Sequence, residues 1–243
     1  MGMRCRIALS VSCLCALLTG CNSLPGKPSK ADRPLRPAQV TDFDLLYDQQ
    51  CAGCHGADGR LGAARPLNDA LYLAVVGDTE LRQIIAHGVG TLMPAFAESA
   101  GGGLTDAQID ILIRGMRAQW GHADQFTRLS LPPYGAPAAG EPPASASRGA
   151  DAYDAYCAQC HGADGKGGDK GGSVVDDSYL ALVSDQGLRT AIVAGRVDLG
   201  MPTWRDNVPG KPMSEQEITD VVAWLASHRT RFPGAPYAVR PAE

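Results

Sequence analysis

Two cysteines separated by two residues and followed at once by a histidine occur twice in the chain. The runs are Cys51-Ala52-Gly53-Cys54-His55 and Cys157-Ala158-Gln159-Cys160-His161. Thiols three positions apart lie on one side of a helical turn, and the next residue brings an imidazole to the same turn. Such a set could hold zinc, act as a dithiol redox pair, or take haem through two thioethers with the histidine as axial ligand. Zinc would need its second cysteine pair nearer than the 102 residues between Cys54 and Cys157, and has no use for a histidine after both pairs. A dithiol redox motif is not expected twice in the shared frame Cys-Ala-X-Cys-His-Gly-Ala-Asp-Gly. Covalent haem uses every position of the run, so the two copies predict two covalently bound c-type haems, each with one iron.

The sixth ligand separates a carrier of electrons from a catalyst. Each copy is followed by a Met-Pro in a glycine-containing loop, Gly90-Thr91-Leu92-Met93-Pro94 and Leu199-Gly200-Met201-Pro202. The methionines stand 42 and 44 residues after the first haem cysteine. Proline biases the residue before it toward extended backbone, which suits a loop presenting sulfur to iron. A thioether ligand raises the haem potential, and a filled sixth site shuts out small substrates. Met116 falls inside the first closing helix and Met213 at the threshold of the second, where methionine serves as core filling. His87, six residues before Met93, is the rival ligand in the first copy, but the second copy has Ala194 there. His122 and His228 fall near the ends of the closing helices, where a histidine favours the helix dipole. Gly165-Lys166-Gly167-Gly168 lacks the Gly-Lys-Ser/Thr ending of a phosphate loop.

The elements that must position these groups repeat as well. A shift of 106 lays Tyr47 on Tyr153 and Cys51 on Cys157; one inserted residue later, Leu81-Arg82 falls on Leu188-Arg189, Ile85 on Ile192 and Gly88 on Gly195. The patterns predict a helix over 43–50 leading into the first cysteines, another over 78–86, and a closing helix in each copy. Thr105 to Gln108 and Ser214 to Glu217 fit the capping box, with Leu104 and Met213 placed to staple to Ile109 and Ile218. No alternating strand pattern is present. Domains of about 80 residues bury little apolar surface by themselves, so covalent haem would supply much of it.

The ends carry a different message. Arg4 and Arg6 precede an apolar run from Ile7 to Leu18, too short to span a membrane comfortably, and Leu18-Thr19-Gly20-Cys21 closes it. Residues 1–20 therefore read as a signal peptide and 21–41 as a Pro-rich tether. The first domain follows over 42–120, a Pro/Ala-rich linker over 121–147, the second domain over 148–229 and a C-terminal tail over 230–243. The formal charge of −4 becomes −6 once Arg4 and Arg6 leave, so the basic footprint of a nucleic-acid binder is missing.

The repeats resemble class I c-type cytochromes, and Leu18-Thr19-Gly20-Cys21 resembles the lipobox of bacterial lipoproteins. The resemblance implies an all-α fold of two tandem class I cytochrome c domains, with Cys21 acylated after cleavage. Cys51, Cys54, Cys157 and Cys160 would hold the porphyrins; His55 and Met93 would bind one iron, and His161 and Met201 the other. The Pro66 carbonyl would accept the N–H of His55, whereas the second copy has Gly171-Gly172-Ser173 and no proline. A close helix crossing would set Phe43 over Gly115 in one copy and Gly149 under Trp224 in the other. The implied protein is a lipid-anchored electron carrier rather than an enzyme, exported to the periplasmic side of a bacterial membrane. It would exchange electrons with a redox protein donor and acceptor. The alternatives are a fixed subunit of a larger quinol-oxidising, oxidase or dehydrogenase complex, and an enzyme like the dihaem peroxidases.

Overall fold

The computed structural model describes residues 26, 29, 34–90, 92–135 and 142–230. The leader with Cys21, most of the tether and the C-terminal tail from 231 lie outside the described residues. The chain divides into two units, Met1–Gln39 and Val40–Glu243. The described part of the first includes one 3-10 turn, Pro37–Gln39, where the Arg36 N–H donates to the Gln39 side chain at 3.1 Å. All that follows concerns the second unit.

Asp42 caps the first helix by accepting from the Leu45 N–H at 2.8 Å, and α1 (Phe43–Gln50) runs directly into the single turn α2 (Ala52–His55). Next come α3 (Ala70–Val75), α4 (Asp78–His87) and the closing helix α5 (Asp106–Trp120). The second repeat runs the same course through α6 (Ala146–Tyr156), α7 (Ala158–His161), α8 (Asp177–Leu182), α9 (Asp185–Ala194) and α10 (Glu215–Ser227). Among the described residues only isolated bridges interrupt an all-helical chain, and no helix is long and apolar enough to cross a membrane. Helices α3 and α8 were not anticipated. Six residues are too few to show a helical period, and each depends on its aspartate cap: Asp69 and Asp176 accept from the Tyr72 and Tyr179 N–H groups at 3.0 Å.

Both closing helices begin with the expected capping box. The staple pairs Leu104/Ile109 and Met213/Ile218 are all buried, which sets the angle at which the chain enters each helix. Each closing helix then crosses the first helix of its repeat at the glycine expected from the sequence. A Cβ on Gly115 would collide with the Phe43 ring, and one on Gly149 would meet the Asp220 carbonyl and stand 2.7 Å from the Trp224 Cβ. Aromatic rings pack around both crossings. Tyr153 stacks on Trp224 at 4.1 Å between centroids, while Tyr47 meets Trp120 edge-on at 5.0 Å.

The two repeats also pack on each other. Leu71 of α3 is buried in the apolar cluster of the second repeat, and Ala194 at the end of α9 is buried in that of the first. The first part of the connector is docked on both repeats. Leu131 borders the second cluster and Tyr134 the first. Arg189, with its side chain 5% exposed, donates to the Pro133 carbonyl at 2.9 Å and pairs with Glu215 at 2.5 Å, and Gln186 donates to the Tyr134 carbonyl at 2.7 Å. Helix α6 starts at Ala146, two residues inside the stretch read as linker, because Ser145 caps it. Replacing Arg189 with alanine would remove the cation paired with Glu215 and the donor to the Pro133 carbonyl. A loss of about 3 kcal/mol is expected for removing one partner of so buried a pair, read as a shift of the denaturant midpoint at constant slope.

Candidate haem sites

The local chain path at each Cys-X-X-Cys-His run is the same. The His55 N–H donates to the Cys51 carbonyl at 3.0 Å and the His161 N–H to that of Cys157 at 3.0 Å, so each run is one turn with both thiols and the ring projecting from it. A tyrosine from the preceding helix ties down the end of that turn. The Tyr47 hydroxyl donates to the Gly56 carbonyl at 3.0 Å and the Tyr153 hydroxyl to that of Gly162 at 2.7 Å. This pair of anchors was missed by sequence reasoning, although the tyrosines already coincided under the shift of 106.

The imidazoles are held at Nδ1 by backbone carbonyls, and here one expectation is corrected. His55 Nδ1 sits 2.6 Å from the carbonyl of Arg65, not that of Pro66. Proline acts one position later: it restricts Arg65 to extended backbone and so aims the Arg65 carbonyl. In the second repeat His161 Nδ1 lies 2.7 Å from the Gly172 carbonyl, one inserted residue along from the equivalent of Arg65. A carbonyl needs no particular side chain, which is why the second copy dispenses with proline. With Nδ1 donating, the lone pair of the neutral ring resides on Nε2, the arrangement a metal-bound histidine requires. Burial holds His55 below the ordinary histidine range, partly offset by its bond to Arg65, and this favours the neutral, ligating form.

The thiols do not look like a redox dithiol. Burial, with Cys54 adding to it, pushes Cys51 up to about 12, and burial with Cys160 does the same for Cys157. Reactive dithiols need the opposite shift. The four cysteines of the two runs are free, and among the described residues no group of three or more His, Cys, Asp or Glu side chains could hold a metal ion by itself. Each run offers two thiols and one imidazole on a single turn, the set that thioether attachment with one axial ligand uses.

The methionine loops are built alike. Val89 and Met93 exchange backbone hydrogen bonds at 2.9 and 3.2 Å, and Arg196 and Met201 exchange theirs at 3.1 and 3.0 Å. Beyond the Met-Pro the chain folds back on the helix it left. The Ala97 N–H donates to the Ala86 carbonyl at 3.2 Å, and the Trp204 N–H to that of Val193 at 3.3 Å. Gly88 and Gly195 make the reversal possible: both have positive φ, and a Cβ on either would strike the carbonyl groups of the Met-Pro segment. Met93 and Met201 are half-buried, and Met93 and Cys51 border the same apolar cluster. His87, by contrast, is exposed at the end of α4, as is His122. His228 ends α10 with Nδ1 2.8 Å from the Trp224 carbonyl. Thr91 and Cys21 lie outside the described residues.

These residues fit covalent haem. Each repeat has two thiols and a ring on one turn, Nδ1 capped by a carbonyl, and a braced Met-Pro loop. A further sign lies in the first repeat, where Nη1 of Arg65 is buried without a partner among the described residues. Fold and site together define a c-type cytochrome with two tandem domains. The chain belongs to the family described as cytochrome c oxidase, cbb3-type, subunit III, which matches residues 38–114 and again 144–225. Covalently bound c-type haem follows from that membership. Among solved structures, the chain is similar to one in the Kuenenia stuttgartiensis reducing HAO-like protein complex Kustc0457/Kustc0458. Identity is 17% and the TM-score 0.47, with 82% of this chain and 100% of that chain covered. No curated protein matches the sequence.

Proposed function

We propose that the chain is a lipid-anchored dihaem cytochrome c that passes single electrons between redox partners on the periplasmic side of a bacterial membrane. Haem iron supplies the one-electron change; the protein supplies attachment, axial ligands and polarity. Cys51 and Cys54 attach one haem and Cys157 and Cys160 the other. His55 and Met93 ligate the first iron, His161 and Met201 the second. The observation that carries this reading is the duplication of the whole holding apparatus: ring capped by a carbonyl, turn tied by tyrosine, and methionine braced by a two-bond backbone bridge. Two thioether ligands leave no open position for peroxide, which argues against a peroxidase. Cys21 bears the lipid.

Family membership favours a second reading, in which the chain is a fixed electron-transfer subunit of an oxidase or a similar membrane complex. Mild detergent extraction separates the two: recovery in stable stoichiometry with other subunits selects the subunit, and recovery alone selects the carrier. The test of the carrier chemistry is an optical spectrum of the holoprotein, oxidised and reduced, with and without carbon monoxide. Two low-spin haems per chain, both inert to carbon monoxide and showing the sulfur-to-iron band when oxidised, are expected. A haem that binds carbon monoxide in the unmodified protein contradicts His/Met ligation at that site.

A further inference from the structure

We propose that Arg65 is the counter-ion of a haem carboxylate in the first repeat, placed at the seam between the two repeats. The inference rests on the reading that haem is attached at Cys51 and Cys54. Arg65 holds His55 through its backbone carbonyl, so its side chain starts beside the axial ligand of the first site. Nη1 of that side chain is buried and has no hydrogen-bond partner among the described residues. The guanidinium lies over the Tyr72 ring at 5.3 Å. Asp69, Tyr134 and Arg196 are its other charged or titratable neighbours, and Tyr179 of the second repeat feels its charge.

None of these neighbours supplies the missing acceptor. Arg196 is a second cation, already held by Asp198 through two bonds of 3.0 Å. The Asp69 carboxylate caps α3 with one oxygen, and its other oxygen is buried without a partner among the described residues. Among the described residues no carboxylate lies within 4.0 Å of the Arg65 guanidinium. Arginine cannot shed its proton to escape burial, and a buried unpaired charge is costly. A planar fork of donors fits a carboxylate best. A c-type haem brings two carboxylates into the fold, on the edge of the ring away from its thioethers. The partner is thus a haem propionate. Because Tyr134 belongs to the connector and Arg196 pairs its backbone with Met201, that carboxylate lies where the first repeat meets the ligand loop of the second.

The test uses the holoprotein, with haem content per chain confirmed by mass and by pyridine haemochrome. Midpoint potentials of both haems are measured by spectroelectrochemistry from pH 5 to 8 in the unmodified protein, Arg65→Gln and Arg65→Lys. The first haem is identified by the signals lost in Met93→Ala. A cation beside the haem favours the reduced state. Arg65→Gln should therefore lower the reduction equilibrium constant of the first haem about tenfold, equivalent to 59 mV for one electron. Its potential should also become pH-dependent as the released carboxylate titrates, and Arg65→Lys should restore most of the loss. Loss of stability alone, with both potentials unmoved, means that Arg65 serves packing or Asp69, and overturns the proposal. A shift confined to the second haem overturns it too. If Cys51 and Cys54 carry no haem, the functional reading fails first and this inference with it.

Discussion

In Met201→Ala, one haem of the two becomes reactive toward carbon monoxide and its midpoint potential falls by on the order of 100 mV, close to two tenfold steps in its reduction constant. The second repeat is the cleaner place for this test. The residue equivalent to His87 there is Ala194, which is buried, so no histidine stands six or seven residues away to take over the vacated position. The loop itself should survive the substitution. Its shape comes from the paired bonds between Arg196 and Met201 backbones and from Gly195, none of which involves the thioether. The parallel variant Met93→Ala gives a second check, because exposed His87 is near enough in sequence to compete after some unwinding of α4. The measurements are a carbon monoxide difference spectrum and a redox titration. Met201→Ala with two unreactive haems and unchanged potentials would remove Met201 from the ligand set.

The second large effect is on stability, at the helix crossings. Adding a Cβ within a helix normally helps by about 1 kcal/mol, since glycine is a poor helix former. At Gly149 sterics reverse the sign. The new Cβ would press on the Asp220 carbonyl and on the Trp224 Cβ, 2.7 Å away, and neither the backbone nor a first side-chain carbon can swing aside. Separation of α6 from α10 would also disturb Asp220, whose buried carboxylate holds the Ser145 N–H at 2.7 Å and Arg148 at 2.7 and 2.9 Å. Gly149→Ala is expected to cost about 3 kcal/mol, lowering Tm by roughly 10 °C. Gly115→Ala meets the Phe43 ring first, and a smaller residue at 43 relieves that contact. The double variant Gly115→Ala with Phe43→Leu should recover most of the loss, a coupling that thermal unfolding of the four proteins in the cycle measures directly. No combination at Trp224 should rescue Gly149→Ala, because the Asp220 carbonyl remains.

These contrasts show why parts of the molecule are legible in one dimension. The haem-binding turns, the closing helices with their capping boxes, and the braced methionine loops rest on contacts between residues a few positions apart. Local spacing and residue type carry that information, and the repeat supplies a second copy against which each feature is checked. Even the glycine crossing, which joins residues 72 and 75 apart in the two copies, was visible because bulk and glycine exchange places between the copies. Short helices such as α3 were not visible, since six residues show no period. Nor was the acceptor for His55, because any residue can offer a carbonyl and only backbone geometry selects Arg65 over Pro66.

By itself the sequence determined the chemistry that can be attached, the helical class of the domains, their number and the residues proposed to ligate iron. Each follows from side-chain type at fixed spacing. Only the tertiary structure decided how the repeats meet. Leu71 and Ala194 trade places across the two apolar clusters, Arg189 pins the connector by its carbonyls, and Arg65 arrives at the seam with a buried nitrogen that has no partner among the described residues. Such contacts join residues far apart in the chain and depend on shape and burial, which emerge only once both repeats are folded and packed together.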